Sequence, residues 1–423
     1  MTADVATPPG EPPVRAGWAL TCAACDRSYP DEFAARCAAC SGPVLKSRTG
    51  PVRFAMDTAL PGIWRYAGVL PIARDSANVS LGESGTPLLE APALAERAGV
   101  GRVFLKLDSL CPTGSFKDRA VAAGVEHAVR YGAVGIVCAS SGNAAASAAA
   151  YAARVGLPAI LVVPERTPAG KLAASAVYGA TQVLVPGDYS NSFAVAEQLA
   201  ADLGLANVTT TYLNPHAVVG LRSVAYDLYE QLPVPTDAVI VPTSTGPLVH
   251  GVATGFDDLV EAGLAERVPR MVAAQPAGCA PITRAFETGA ERVTAWGDVD
   301  TTVSGLDDPL RGYPEDGSVT LRHLRRTGGS ATAMDDRAVD DARDLLRRTQ
   351  GVFAEPAAAT SVAALLALGG TGQLGRSDTI VCLLTGHGMK RMPSDSLQPI
   401  RAADGAEAVE LLADRRLVGG RTS

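Results

Sequence analysis

A lysine follows a tight turn at the start of a predicted helix, in the stretch CPTGSFKDRA (111–120). The chain has only five lysines, compared with 32 arginines. Arginine cannot replace a lysine that must lose its proton and act as a nucleophile. The positive end of the helix and the neighbouring Arg119 are both expected to lower the pKa of the Lys117 amine. Lys117 is therefore suited to form an imine with a carbonyl cofactor, although an ion pair with Asp118 also explains a lysine here.

Two groups of small polar residues also come directly after apolar runs and directly before helices. Free backbone N–H groups at a helix start bind a carboxylate or a phosphate, and hydroxyl groups add further donors. The first group is CASSGNAAAS (138–147), in which the Asn143 amide is also suited to bond a phenolic oxygen. The second is VPTSTGPLVHG (241–251), in which Pro247 is tolerated because it takes the first helical position. Ordinary capping of the helix start is the simpler explanation of the first group.

From about residue 84 the chain alternates between apolar strands and helices, and these polar groups lie where strands end. Strands rich in β-branched residues, each followed by a helix, predict a parallel sheet covered on both faces. In such sheets ligands bind beyond the carboxyl ends of the strands. A further strand end, LLTGHGMK (383–390), adds Thr385 and His387, although a lone histidine is more often structural than catalytic. The polar segment 288–330 is expected to be irregular and either to cap the site or to form a surface loop.

Two Cys-x-x-Cys pairs lie close together near the amino terminus, within residues 18–46. Four thiolates at this spacing can close a tetrahedral zinc site, and so short a segment needs a metal because it has little core. A redox-active pair or a chance arrangement is the alternative. No histidine lies nearby and no fifth ligand is available, so the zinc is expected to be structural. Its ligands would be Cys22, Cys25, Cys37 and Cys40.

The composition excludes several classes of function. The net charge is −7, and no basic stripe indicates nucleic-acid binding. The apolar stretch 147–163 is interrupted by Arg154 and Pro158 and is therefore not expected to span a membrane. Residues 1–17 lack the apolar core of a targeting signal and are predicted to be a disordered leader. We therefore expect a cytoplasmic protein with no nucleic-acid or membrane partner.

Four motifs carry a family resemblance: PTGSFKDR (112–119), ASSGNAAASAAAYAA (139–153), FAEPAAATS (353–361) and TGHGMK (385–390). Together they resemble threonine synthase and its relatives. These are pyridoxal 5′-phosphate (PLP) enzymes of the β-family, also called fold type II, and the paired cysteines resemble a unit found on some members. The resemblance covers roughly residues 18–395 and implies an α/β fold with two open parallel-sheet αβα domains and a small amino-terminal zinc-ribbon-like unit. The implied parts are a leader (1–17), the zinc-ribbon-like unit (18–50), a larger PLP-binding domain (51–125 and 226–395), a smaller mobile domain (126–225) and a carboxy-terminal tail (396–423).

The resemblance also implies a role for each matching residue. Lys117 would bind PLP as an internal Schiff base and later carry a proton, and Asn143 would bond the ring hydroxyl of the cofactor. Thr385 would face the pyridine nitrogen, and a neutral hydroxyl there favours elimination and replacement over transamination. The substrate carboxylate would be surrounded by Ser140, Ser141, Gly142 and Ala144. The cofactor phosphate would be held by Thr243, Ser244, Thr245, Gly246 and Leu248.

One stretch, TYLNPHAVVGLRS, departs from the threonine synthase pattern. The family usually has Asn-Ser-x-Asn-Pro-x-Arg here, in which the Asn-Ser pair and the Arg grip the phosphate of O-phosphohomoserine. In this chain Thr211, Tyr212 and Ala217 stand at those positions. Loss of such a charged partner typically costs about 2–5 kcal/mol of binding. A different substrate is therefore expected, unless His216 or Arg222 supplies the missing positive charge.

The sequence thus predicts a PLP-dependent lyase or synthase, a carbon–oxygen lyase that acts on a small amino acid. Lys117 would remove the α-proton, a β- or γ-leaving group would depart, and water or another nucleophile would add. The reaction is either O-phosphohomoserine to threonine or a related one: β-replacement of the cysteate or diaminopropionate type, or dehydration of serine or threonine. A catalytically inactive PLP-binding partner protein is the alternative from another class, although Lys117 and Asn143 argue against it. The resemblance also implies a homodimer.

Overall fold

The computed structural model describes residues 17–29, 36–167, 169–187 and 189–391. The predicted carboxy-terminal tail, and all but one residue of the predicted leader, lie outside these ranges. The strands are β1 (Trp18–Cys22), β2 (Ser28–Tyr29), β3 (Val44–Arg48), β4 (Leu88–Glu90), β5 (Arg102–Lys106), β6 (Ile136–Ala139), β7 (Ala159–Pro164), β8 (Thr181–Val185), β9 (Ala206–Asn207), β10 (Ala238–Pro242), β11 (Arg270–Pro276), β12 (Ser330–Met334) and β13 (Thr379–Leu383). The α-helices are α1 (Pro92–Ala98), α2 (Lys117–Arg130), α3 (Asn143–Val155), α4 (Ala169–Ala176), α5 (Tyr189–Leu203), α6 (Pro215–Val218), α7 (Ser223–Gln231), α8 (Pro247–Glu261), α9 (Pro281–Glu287), α10 (Pro314–Arg326), α11 (Asp336–Leu345) and α12 (Pro356–Leu368).

The larger parallel sheet has the strand order β12-β11-β10-β13-β5-β4. Its neighbours pair in parallel, except that β4 pairs antiparallel with β5 at the edge. The central strands β10 and β13 are buried at every residue, as their runs AVIVP and TIVCL predict for strands covered on both faces. Because β5, β13 and β10 are adjacent and parallel, the loops that follow them lie side by side at one edge of the sheet. These loops lead to Lys117, Thr385 and Thr243.

The smaller parallel sheet has the strand order β8-β7-β6-β9. Helix α3 packs against β6 and β7, and it ends at Gly156, whose φ of +73° is a left-handed conformation that suits glycine. The prediction of an α/β fold with two open parallel sheets is confirmed. The boundaries of the two domains, and the mobility of the smaller one, stay predictions. Among the helices that the structure describes, none has the length and apolar character needed to cross a membrane.

The prediction of an irregular segment at 288–330 is wrong for its later part, which contains α10. Signals at both ends of this helix explain why it forms. Pro314 takes the first helical position, the acidic Glu315 and Asp316 follow it, and basic residues fill the last turn. The part before Pro314 is irregular, as predicted.

The amino-terminal unit is a three-stranded antiparallel sheet with the order β2-β1-β3. The ring of its Trp18 contacts two guanidinium groups, and the central carbons of Arg48 and Arg222 lie 4.4 and 5.0 Å from the ring centroid. Both arginines bond the buried carboxylate of Asp258, at 2.9 and 2.8 Å. The unit is therefore attached to α8 through a buried cluster of charges around one aromatic ring.

A buried network of charges holds the start of α2. The carboxylate of Asp227 accepts hydrogen bonds from Arg119 at 2.7 Å and from Lys106 at 3.1 Å. Arg119 also bonds both oxygens of Asp108, at 3.0 and 2.9 Å. Burial alone would raise the pKa of Asp227, but the two cations lower that pKa below its usual value. Because Arg119 lies in the first turn of α2, the network fixes the position at which this helix begins.

Candidate active site

The turn before α2 is built around Asp118, whose carboxylate accepts two hydrogen bonds from Thr113. The N–H of Thr113 donates at 2.7 Å and its hydroxyl at 2.6 Å. Gly114 within this turn has a φ of +80°, which other residues adopt only with strain. Both oxygens of the Asp118 carboxylate thus hold Thr113, which closes the turn directly before Lys117.

Lys117 is half-buried at the start of α2. Its Nζ lies 3.5 Å from the carbonyl oxygen of Thr210 and 4.8 Å from the centroid of the Phe116 ring. Burial lowers the pKa of the amine to about 8, although the acidic groups of Glu355 and Asp308 act in the opposite direction. The predicted direction is confirmed, but the cause is burial rather than the neighbouring arginine. An amine with this pKa is partly uncharged near neutral pH, as a nucleophile requires.

Thr385 lies beside the turn that precedes Lys117. Its backbone carbonyl accepts a hydrogen bond from the N–H of Phe116 at 3.0 Å, and its side chain is buried. Two residues later, the N–H of His387 donates to the carbonyl of Gly114, also at 3.0 Å. The loop after β13 is therefore joined directly to the loop after β5.

The segment between β9 and α6 contacts the other loops around Lys117. The Thr209 hydroxyl accepts a hydrogen bond from the N–H of Ala139, at the end of β6, at 2.9 Å. The carbonyl oxygen of the next residue, Thr210, is the one that lies 3.5 Å from the Lys117 Nζ. The Tyr212 hydroxyl donates to the carbonyl of Gly246, in the loop after β10, at 3.0 Å. One short segment thus brings together the loop after β6, the lysine and the loop after β10.

The loop between β6 and α3 leads into a helix of 13 residues. Ser140 and Ser141 are half-buried there, Gly142 is exposed and Ala144 is buried. The N–H of Gly142 donates to the Ser140 hydroxyl at 3.2 Å, and no side chain caps the helix. Within the described residues no acceptor contacts the N–H of Ala144, so this positive helix end fits an anion such as a carboxylate. Ordinary capping therefore does not explain the serines.

Asn143, at the first position of α3, donates from its Nδ2 to the Glu355 Oε1 at 2.8 Å. The N–H of Glu355 in turn donates to the carbonyl of Gly386 at 3.0 Å. A Cβ at Gly386 would lie 1.9 Å from the Glu355 Oε1, so the close approach requires glycine. Glu355 is not among the predicted site residues, although the motif FAEPAAATS contains it. Its position directly before a proline at a helix start was the available signal.

The loop between β10 and α8 has uncommitted backbone N–H groups. The hydroxyl of Thr243, in contrast, is already committed, because it donates to the carbonyl of Val241 at 2.7 Å. Gly246 has a φ of +101°, a conformation that strains other residues. In the part of the chain that the structure describes, no acceptor contacts the N–H groups of Ser244, Thr245, Gly246 and Leu248. Because they precede or begin the 15-residue helix α8, these groups fit a phosphate.

The four predicted metal ligands lie together in the structure. Their Sγ atoms are all within 4.8 Å of one another. The Sγ atoms of Cys22 and Cys40 are 3.5 Å apart, and those of Cys25 and Cys37 are 3.6 Å apart. The Tyr29 hydroxyl donates to the Cys37 Sγ at 3.0 Å. Four sulfur atoms this close, with a hydroxyl donor directed at one of them, fit a tetrahedral metal ion.

A buried methyl group, that of Ala217, stands where the family pattern has an arginine. Ala217 is 1% exposed, and a Cβ on Gly124 of α2 would lie only 3.1 Å from its Cβ. His216 stacks on the His127 ring at 3.4 Å between centroids, and burial holds its pKa well below the usual value. Arg222 forms an ion pair with the buried carboxylate of Asp258. Both His216 and Arg222 are thus engaged in other contacts, and their compensating role stays a prediction.

Comparison with known proteins agrees with this arrangement. Residues 79–386 match the family described as pyridoxal-phosphate dependent enzyme. The threonine synthase of Methanosarcina acetivorans is 30% identical over 380 residues, which cover 88% of this chain and 92% of the relative. The threonine synthase of Methanocaldococcus jannaschii is 34% identical over 360 residues, which cover 84% of this chain and 86% of the relative.

Solved structures support the same fold. Maize serine racemase superimposes with a TM-score of 0.63 at 23% identity, covering 78% of this chain and 92% of that one. The processed form of threonine deaminase isoform 2 from Solanum lycopersicum gives a TM-score of 0.63 at 21% identity, covering 81% of this chain and 95% of that one. The chain therefore belongs to the family of pyridoxal-phosphate dependent enzymes, among the relatives of threonine synthase, and it is a PLP-dependent carbon–oxygen lyase of fold type II.

Proposed function

We propose that the loops around Lys117 form one PLP site and that Lys117 binds the cofactor covalently. The observation that supports this most directly is a half-buried amine whose pKa is lowered by burial to about 8. The uncommitted N–H groups of Ser244, Thr245, Gly246 and Leu248 suit the cofactor phosphate, and Asn143 suits its ring hydroxyl. Thr385 would face the pyridine nitrogen, and the loop at 140–144 would hold the substrate carboxylate.

The proposed chemistry needs a group that moves a proton at the α-carbon of an amino acid. Bound PLP supplies an electron-withdrawing ring that acidifies this α-hydrogen. The Lys117 amine, largely uncharged above a pH of about 8, is suited to take the proton and to return it. Glu355 fixes the orientation of the Asn143 amide through their hydrogen bond. The neutral hydroxyl of Thr385 places no carboxylate at the ring nitrogen, which favours loss of a leaving group over transfer of the amino group.

We further propose that the preferred substrate carries no phosphate on its leaving group. Position 217 offers a buried methyl group instead of a guanidinium group. Two acidic side chains, Glu355 and Asp308, act on Lys117, and their negative charge would repel a phosphate dianion. The substrate class that fits is a small amino acid with a neutral β- or γ-leaving group, such as serine, threonine or an O-acyl derivative.

The PLP-loaded protein is expected to form a 2-oxo acid or a replacement product from such an amino acid. Its kcat/KM for O-phosphohomoserine should be at least about 30-fold lower than its kcat/KM for the preferred amino acid, because the arginine contact is missing. Enzymatic reduction measures the 2-oxo acid, chromatography measures threonine, and a colorimetric assay measures released phosphate. Threonine formed from O-phosphohomoserine at a comparable kcat/KM would overturn the substrate proposal. Phosphate released from O-phosphoserine alone would also overturn it and would indicate β-replacement.

We also propose that the four amino-terminal cysteines bind a structural Zn²⁺. Zinc-finger peptides bind zinc with an apparent free energy of about 10–16 kcal/mol, so the metal should survive dialysis. Elemental analysis is expected to find one zinc ion per chain, and Cys37→Ser should abolish it and lower the thermal stability. Cys111→Ser, which alters a buried thiol outside the cluster, should keep the metal. A metal-free wild-type protein with a disulfide among these cysteines would instead indicate the redox interpretation.

Three further expectations stay proposals. The homodimer and the division into a larger and a smaller domain rest on the resemblance, and the cytoplasmic location rests on the sequence composition. Light scattering on the purified protein measures the first of them directly.

A further inference from the structure

Consecutive carbonyl groups of the β10–α8 loop are held from behind by buried side chains. The Thr320 hydroxyl, on α10, donates to the carbonyl of Thr245 at 2.7 Å. The Tyr212 hydroxyl donates to the carbonyl of Gly246 at 3.0 Å. The side-chain amide of Gln275 donates to the carbonyl of Ser244 at 3.4 Å. The side of the loop that faces the protein is therefore occupied by its carbonyl groups.

These hydrogen bonds fix the direction of the N–H groups. A peptide unit is planar and trans, so its carbonyl and its N–H point in opposite directions. Holding the Thr245 carbonyl against Thr320 therefore turns the N–H of Gly246 to the opposite side of the loop. In the same way, the hydrogen bond from Gln275 to the Ser244 carbonyl turns the N–H of Thr245 to that opposite side. The carbonyl of Gly246 is followed by Pro247, which has no N–H, so Tyr212 anchors the end of the loop.

Tyr212 and Thr320, together the hydroxyl clamp, are buried and tightly packed. Each is 0% exposed, and their two hydroxyl oxygens lie 3.1 Å apart. A Cβ at Gly246 would lie 2.0 Å from the Thr320 Oγ1, so the backbone of the loop rests directly on this hydroxyl. Tyr212 also packs in an apolar cluster with Leu45, from the amino-terminal unit, and with Val319. The loop is therefore supported by side chains that have little room to move.

We propose that Tyr212 and Thr320 are positioning residues that set the affinity of the PLP site for the cofactor phosphate. The inference rests on the PLP site proposed above, and it adds two residues that do not themselves contact the cofactor. The resemblance assigns the position of Tyr212 to recognition of the substrate phosphate. In this chain the side chain bonds the cofactor loop instead. The same position that lacks substrate-phosphate recognition thus strengthens the hold on the cofactor.

The test compares PLP with pyridoxal, which forms the same imine but has no phosphate. Cofactor-free Tyr212→Phe and Thr320→Val proteins are titrated with each compound, and the imine absorption gives the Kd. The Kd for PLP should rise about 10-fold in each variant, whereas the Kd for pyridoxal should stay within about twofold of wild type. The matched control is Tyr226→Phe, which loses a buried hydroxyl contact with Asp258 away from the loop. Neither Kd should change in the control.

An equal loss of affinity for PLP and for pyridoxal would mean that the clamp has only a general structural role. An unchanged Kd for PLP would mean that the clamp has no role in cofactor binding. Either result overturns the proposal. A second measurement does not depend on the imine: inorganic phosphate should raise the Tm of the cofactor-free wild-type and control proteins more than that of the two variants. If wild type forms no imine with PLP, the proposed PLP site fails. The phosphate measurement still decides the clamp, since equal stabilisation of all four proteins would contradict it.

Discussion

The Lys117→Ala protein is expected to lose the imine absorption of the PLP-loaded enzyme and about 10²–10⁴-fold of its turnover. The reason is that the variant has no amine near the α-carbon to take and return the proton. Lys117→Arg should fail as well, because a guanidinium group keeps its charge and does not form an imine. Visible absorbance measures the first effect, and product formation from the preferred amino acid measures the second.

Lys390→Ala, which removes an exposed lysine, is the matched control and should keep both signals. Added methylamine should restore part of the turnover of Lys117→Ala, because it supplies a free amine. The pH dependence has a definite sign: the rate of imine formation should rise as the pH increases through about 8, where the Lys117 amine loses its proton. A Lys117→Ala protein that keeps both the absorption band and the turnover would contradict the assignment.

Asp227→Asn is expected to lower the free energy of unfolding by about 3–5 kcal/mol, because it leaves the buried charges of Arg119 and Lys106 without their shared partner. Asp227 also accepts hydrogen bonds from Tyr66 at 2.7 Å and from Ser84 at 2.7 Å, so several donors lose their acceptor charge together. Urea unfolding of the purified variant and of wild type gives the difference directly.

The control is Asp257→Asn, which breaks an exposed bidentate ion pair with Arg326. Such a pair should be worth only about 0–1 kcal/mol. The pKa of Asp227 is lowered in the folded protein, so its contribution is complete above about pH 3.9, the usual pKa of the unfolded state. That contribution is lost as the pH falls through the folded value. Equal destabilisation by the two substitutions would show that the buried network adds nothing beyond an ordinary surface pair.

Local sequence was enough to predict the features that short stretches encode. The strand, the tight turn and the helix start around Lys117 are consecutive in the chain, so their pattern alone indicated the lysine. The paired cysteines are equally local, because the two pairs lie within one small antiparallel sheet. Helix α10 was also encoded locally, by Pro314 and the charges at its two ends. The irregular polar residues before it obscured that signal.

Other features depend on contacts that no local pattern shows. Glu355 reaches Asn143 across 212 residues, and Thr320 reaches Thr245 across 75. The Thr320 contact joins α10 to the loop after β10 of the larger sheet, whereas the Asn143 contact joins the loop after β6, in the smaller sheet, to the start of α12. The lowered pKa of Lys117 was predicted, but its cause was not, because burial is a property of the folded chain. The contacts of Arg222 with Asp258 and Trp18 were likewise not predictable, because both partners are distant from it in the sequence.

The attachment of the amino-terminal unit also determines an order of events during protein synthesis. Arg48 of this unit pairs with Asp258, 210 residues later, and Arg322 bonds the carbonyl of Ala23, 299 residues before it. At about 5–20 residues per second, a ribosome needs roughly 10–60 s to make the chain between these partners. The unit therefore leaves the ribosome well before the surface that covers it exists. During that interval a metal ion bound by its four cysteines would be the main interaction that keeps it folded.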